Sequence, residues 1–244
     1  MKSRLRALLR LFAVQGTWNY ERMLGVGMGY AAEPLLEDLK TVDPVRHGEA
    51  VVRSAEFFNC NPNLAGLALG ATVRAEYEAV PGTQIARLRT ALCSPLGALG
   101  DQLFWAGLVP ALVGITLAAV MLGAGLWAIV AFLVVYNGIR IWTAVWSLRT
   151  GLAAGMNVAA AIGRSWLPRA AGAVAPAAGF GVGLALPLAA ASFLRPFPLT
   201  AGLGALGLTA LGLVAGYVGG ARYGALRYAL LAVLVTLLVR VVLT

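Results

Sequence analysis

A chain of 244 residues that is 60% hydrophobic and only 12% charged is too apolar for an ordinary soluble domain, in which about 25% of residues are charged. With a mean hydropathy of +0.81, its net charge of +9 points to the positive flanks of transmembrane helices and away from nucleic acid. Two cysteines, Cys60 and Cys93, are too few for a disulfide framework and read as small apolar residues.

The charges divide the chain. All ten acidic residues lie at or before Asp101, whereas residues 102–244 carry eight Arg and no acid. The fold class expected is all-α: a polytopic integral membrane protein with an N-terminal amphipathic and re-entrant region (1–101) and about five transmembrane helices (102–244). Residues 1–14 place Leu5, Leu8, Leu9 and Phe12 at helical spacing among Lys2, Arg4, Arg6 and Arg10, which predicts an interfacial helix on an anionic leaflet. A helix over about 17–40 follows, with Trp18, Met23, Val26 and Tyr30 on one face. Residues 41–49 read as a loop, and a second helix runs over about 49–59 and stops near Pro62.

Residues 63–73 are apolar but too short to cross a bilayer, so they suit a re-entrant hairpin or a buried segment. A half-membrane helix over 84–99 ends in the Gly/Pro-interrupted "SPLGALGD". Spans are predicted at about 102–122, 125–146, 171–192, 199–220 and 225–243, with an interfacial connector at 147–170. Arg149, Arg164 and Arg169 cluster in that connector, and Arg222 and Arg227 fall on the same side, against Arg195 alone opposite. The positive-inside rule then places the N-terminus and the connector in the cytoplasm, with the C-terminus outside.

Nothing in the chain reads as a catalytic centre of its own. His47 is the one histidine, no cluster has metal-ligand spacing, and no nucleotide or nucleophile motif is present. No cofactor, metal or catalytic residue is therefore expected. Four polar groups stand out instead, because polar side chains beside membrane spans are costly and line a pathway or an interface. They are "QGTWNYER" (15–22), "EFFNCNPN" (56–63), "GALGDQLFW" (97–105) and "YNGIR" (136–140). Each has a plainer reading. Glu21 and Arg22 suit a surface helix, Asn59 and Asn61 suit caps, Asp101 suits the N-cap of the first span, and Arg140 suits a snorkelling side chain. Together, amides, carboxylates and tryptophans are the chemistry that binds sugars.

In order and spacing, "QGTWNYERM" (15–23), "EFFNCNP" (56–62), "SPLGALGDQLFW" (94–105) and "FLVVYNGIR" (132–140) resemble the IID component of the mannose/fructose/sorbose family of the bacterial phosphotransferase system (PTS). The likeness covers about residues 10–155. It implies a non-catalytic subunit of the bacterial inner membrane that forms, with a IIC subunit, the translocation path for a hexose. Soluble IIA and IIB proteins supply phosphate, and IIC–IID pairs assemble into a higher oligomer. Carried over motif by motif, the residues implied for substrate binding or the IIC interface are Asn19, Glu21, Asn59, Asp101, Trp105, Asn137 and Arg140. The chain departs from the family pattern at Cys60, at Val109 and in "RAEYE" (74–78). The alternative from another class is a structural or regulatory membrane scaffold that binds IIC or soluble PTS proteins without moving sugar.

Overall fold

The computed structural model describes residues 2–194. Among these the chain is helical, with isolated bridges at Asn19–Met23 and Met23–Phe58 and no strand. Helix α1 (Lys2–Phe12) buries Ala7 and Leu11 and turns Leu5 and Leu9 outward. Ion pairs Arg6–Glu37 (2.7 Å) and Arg10–Glu33 fasten it to α2 (Gly25–Leu36) and the residue just beyond it.

The helix expected over 17–40 starts later than its apolar spacing suggests. Val14–Thr17 is one 3-10 turn, and α2 begins only at Gly25. Asn19 supplies the reason. Its Oδ1 accepts the N–H groups of Glu21 (3.1 Å) and Arg22 (2.8 Å), a local alternative to helical hydrogen bonding. Met23 then adopts a left-handed conformation (φ 51°), and the Leu24 N–H donates to the Phe58 carbonyl at 2.9 Å.

Residues 41–49, expected as a loop, are largely helical. They complete α3 (Leu39–Val42) and open α4 (Pro44–Ser54). Asp43 caps α4 by accepting the Arg46 N–H at 2.9 Å, and Pro44 occupies the first helical position, where its missing N–H costs nothing.

Helix α5 (Ala65–Tyr77) decides between a re-entrant hairpin and a buried segment in favour of burial, since residues 65–73 are all buried within the chain. Its thirteen residues extend only about 20 Å. At its C-terminal end the buried Glu76 carboxylate pairs with Arg53 (2.8 Å) and Arg46 (3.0 Å). Arg46 also donates to the Glu76 and Val80 carbonyls at 2.7 and 2.6 Å, satisfying acceptors that the helix end leaves open.

The Gly/Pro break expected at 94–101 does not interrupt the helix. Helix α6 (Gly82–Gly100) passes through a π-helical segment, Asp101–Leu108, into α7 (Val109–Ala119). A second π-helical segment, Val120–Ala124, completes a 43-residue rod. Asp101 is therefore not an N-cap, because its own N–H is already bonded to Gly97 and Ala98. The first π segment lies just before Pro110, which has no N–H and whose ring crowds the preceding turn. At about 65 Å the rod is twice the roughly 30 Å of a hydrocarbon core, so its apolar C-terminal part alone suffices to cross.

Gly123 and Gly125, at φ +100° and +56°, reverse the chain into α8 (Leu126–Ala154). The span expected to end at 146 thus continues for two more turns. The connector shrinks to a turn at Gly155 (φ 52°) and α9 (Val158–Arg164), before α10 (Leu167–Leu194). Helix α10 contains the span expected at 171–192, and 82–124 and 126–186 are the described segments long and apolar enough to cross a membrane. The spans expected at 199–220 and 225–243 lie outside the described residues.

Close helix contacts are made through glycine. A Cβ on Gly66 would lie 2.8 Å from the Leu148 nitrogen, and one on Gly70 would lie 2.7 Å from the Leu148 carbonyl oxygen. From the other side, a Cβ on Gly151 would meet the Leu67 and Gly66 carbonyls. The α5–α8 pair therefore packs backbone to backbone, as helices do where apolar surroundings supply no other drive to associate. Gly114 and Gly181 do the same between the rod and α10, and Gly107 makes room for the Val174 side chain. Gly66→Leu should lower stability by about 1–3 kcal/mol or more through overpacking. The control Gly48→Ala, at an α4 site with open space, should be neutral or stabilising by up to about 1 kcal/mol. Thermal unfolding in detergent separates the two.

Candidate functional site

The loop between α4 and α5 carries the second polar motif to the space between α6 and α8, and its buried asparagines organise the site. Asn61 caps the 3-10 turn Pro62–Leu64, its Oδ1 accepting from the Asn63 N–H and side-chain amide, both at 3.1 Å. The Asn61 Nδ2 donates to Asp101 Oδ1 at 3.0 Å. Asn63 Oδ1 accepts from Arg140 Nε at 3.3 Å, and Arg140 Nη1 reaches Asn137 Oδ1 at 3.5 Å. Asn137 Nδ2 closes the series on the Leu133 carbonyl at 2.8 Å. One line of side-chain hydrogen bonds thus runs from the start of the π segment, through the loop, to the middle of α8.

The ends of this line differ from its centre. Asn61 and Asn63 are buried, whereas Asp101 and Asn137 lie on the chain's own surface. Arg140 sits between these extremes, 5.7 Å from the Tyr136 ring, which stacks on Phe132. Leu11, Gln15, Asn63, Gly66, Arg140 and Ser147 line a narrow cleft beside it. Among the described residues, no three His, Cys, Asp or Glu side chains gather as metal ligands.

The first motif reaches the second through the backbone, where Phe58 N–H donates to the Arg22 carbonyl at 3.3 Å and Leu24 N–H to that of Phe58. Asn19 spends its side chain on its own turn, donating to the Thr17 carbonyl at 3.2 Å besides accepting from residues 21 and 22. Glu21 is exposed, and Trp18 and Tyr20 meet edge to face at 4.8 Å. Asn59 is exposed with no side-chain hydrogen bond among the described residues, and Trp105 is half exposed on the π segment. Of the seven residues singled out from the sequence, the fold therefore links Asp101, Asn137 and Arg140, and leaves Asn19, Glu21, Asn59 and Trp105 outside the network.

The joining residues, Asn61 and Asn63, were not among those seven. Their signal was two amides around a proline just before a helix whose first seven residues are all apolar. Arg89, on α6, was missed as well. It is buried, donates to the Glu56 carbonyl at 3.1 Å and lies 5.1 Å from the Phe58 ring, anchoring the start of the loop.

An all-helical integral membrane protein, with polar side chains gathered where a short buried helix meets two long apolar ones, is the class that this fold and site define. The chain belongs to the IID components of the PTS mannose/fructose/sorbose family, whose profile matches residues 1–183. It is 27% identical over 166 residues to the PTS mannose-specific EIID component of Escherichia coli K12, covering 66% of this chain and 58% of that one. It is 29% identical over 148 residues to the fructose permease IID component of Bacillus subtilis, covering 59% and 53%. A sorbose-specific EIID component of Klebsiella pneumoniae is 28% identical over 170 residues, covering 66% and 60%. The chain thus spans somewhat under two thirds of the length of these relatives. In structure it is similar to a chain of the mannose transporter ManYZ in complex with microcin E492, with a TM-score of 0.58, 25% identity, and 75% and 68% of the two chains covered. A second solved membrane protein gives a TM-score of 0.65 at the same identity and coverage.

Cys60, in the centre of the second motif, is buried, and burial pushes its thiol well above the usual range. An unfolded chain ionises this thiol from about pH 8.5 upward, while the folded chain keeps the proton. Folding stability should therefore be unaffected by Cys60 below that pH and fall above it by about 1.4 kcal/mol per pH unit. Comparing thermal unfolding of the protein and Cys60→Ala between pH 8 and pH 10 checks this. The variant should lose that part of the alkaline slope.

Proposed function

We propose that the chain forms, with a IIC subunit, the translocation path for a mannose-type hexose, coupled to phosphorylation by soluble IIA and IIB proteins. The observation that carries this reading is the continuous hydrogen-bonded line from Asp101 through Asn61, Asn63 and Arg140 to Asn137. Polar groups at the level of apolar helices are expensive in lipid, and their default explanation is a pathway or a protein interface. Asp101 is exposed, and its second oxygen has no partner among the described residues, so a sugar hydroxyl can donate to it. Asn137 is exposed on a spanning helix and suits the surface that IIC covers. The names of the mannose, fructose and sorbose relatives support a hexose as cargo. A sugar-independent scaffold would have no use for an exposed carboxylate held in place from a buried amide.

The same reading locates the chain in the bacterial inner membrane as part of a higher oligomer of IIC–IID pairs, with its N-terminus in the cytoplasm. Exposed Arg149, Arg164 and Arg169 supply the positive flank. Trp142 and Trp166, with ring centroids 4.9 Å apart, supply interfacial aromatics at that end of α8. Leu11 and Phe12 of α1 line the same cleft as Ala144 and Ser147, so the N-terminal helix lies at that level too.

Two experiments test this. Asp101→Asn should weaken sugar binding by the copurified IIC–IID pair by about 10- to 150-fold, the loss of a charge-assisted hydrogen bond, while copurification is retained. Undiminished binding would remove Asp101 from the path, and lost copurification would make it an interface residue. For orientation, Ser165→Cys in intact cells should resist labelling by a membrane-impermeant maleimide. Efficient labelling would invert the topology.

A further inference from the structure

We infer that Asn61, seated against the rod by Gly100, is the positioning residue that aims Asp101. The inference rests on the sugar-path reading. Asn61 is 1% exposed: its Oδ1 accepts twice from Asn63, and one Nδ2 N–H donates to Asp101 Oδ1 at 3.0 Å. Buried as it is, it does not itself meet a substrate. What it does is choose the rotamer of a surface carboxylate. One oxygen of the exposed Asp101 is tied to a buried, capped turn, and the other has no partner among the described residues. The same amide reaches Arg140 through Asn63, so the carboxylate and the guanidinium on two different long helices are set from one buried point.

Gly100 makes this possible. A Cβ there would overlap the Asn61 Cβ and lie 2.7 Å from its Cγ and 3.1 Å from Leu64 Cδ1. Glycine at the last α-helical position before the π segment lets the amide lie flat on the helix, one residue from the carboxylate it holds. Any larger residue at 100 pushes Asn61 off and frees Asp101 to rotate.

Asn61→Asp tests the role nearly isosterically. It keeps the acceptor for Asn63 and loses the donor to Asp101. D-mannose affinity is measured by calorimetry on the purified IIC–IID pair, for Asn61→Asp and for the same change in an Asp101→Asn background. The expected result is a loss of about 10-fold or more in the first and less than about 2-fold in the second, because Asn61 acts through Asp101. Equal losses in both backgrounds overturn the inference. Gly100→Ala, which alters no side chain of the network itself, should reproduce the first loss, and unchanged affinity there counts against it. A readout without sugar is carbodiimide modification of Asp101 at neutral pH, followed by peptide mass spectrometry. It should rise several-fold in Asn61→Asp and Gly100→Ala, since the carboxylate is no longer held by the Asn61 amide and is free to turn toward the reagent. An unchanged rate overturns the positioning role. If the unaltered pair binds no mannose but the modification rates still rise, the transport reading falls and the positioning role stands.

Discussion

The close packing of α5 against α8 is the contact on which the rest of the structure depends. Thirteen residues of α5 are too few to span a bilayer and too apolar to lie in water, so the helix is stable only inside the protein. Gly66 and Gly70 on one side and Gly151 on the other remove the side chains that would hold the two backbones apart. The gain is dispersion between packed backbones, the main attraction left between helices when lipid is as apolar as leucine. With α5 seated, its N-terminal turn delivers Asn61 and Asn63 between α6 and α8. Its C-terminal end brings Glu76 under Arg46 and Arg53.

Polar groups and glycines have a division of labour in this molecule. Glycines set the distance between helices, and amides set the direction of the charges on them. A charged side chain on a spanning helix is stable when neighbouring groups satisfy it, and asparagine can accept and donate at once. Asn61 and Asn63 use that property to hold Asp101 and Arg140 without a direct ion pair. Direct pairing would neutralise both. The amide relay keeps one carboxylate oxygen and part of a guanidinium available at the surface. The arrangement leaves groups that are fixed yet not fully satisfied at the junction of two long helices.

The all-helical membrane fold, the apolar segments and the four polar motifs were legible along the chain because composition and short-range spacing encode them. A low charge content needs no partner to interpret, and the basic flanks of apolar runs follow from electrostatics alone. Helix ends were less legible. Asn19 bends the chain with its own side chain, and Asp43 with Pro44 starts α4 inside a stretch that reads as a loop. The glycines at 97 and 100 read as a break, yet they lie within a continuous rod, and Gly100 there serves the close approach of Asn61.

The candidate site divides in the same way. Asp101, Asn137 and Arg140 could be named from the sequence because polar residues inside or beside apolar runs are conspicuous. That they belong together, and that Asn19, Glu21, Asn59 and Trp105 stay outside their network, depended on the fold. Asp101 and Asn61 are 40 positions apart, and Arg140 and Asn63 are 77 apart. No periodicity links residues at such separations. Only the crossing of α5 with α8, and the seat that Gly100 offers to Asn61, bring them within hydrogen-bonding distance. The sequence by itself determined which side chains are too polar for lipid. The tertiary structure decided which of them satisfy one another and which stay outside that network, because hydrogen bonds act over about 3 Å and only the folded chain brings distant residues that close.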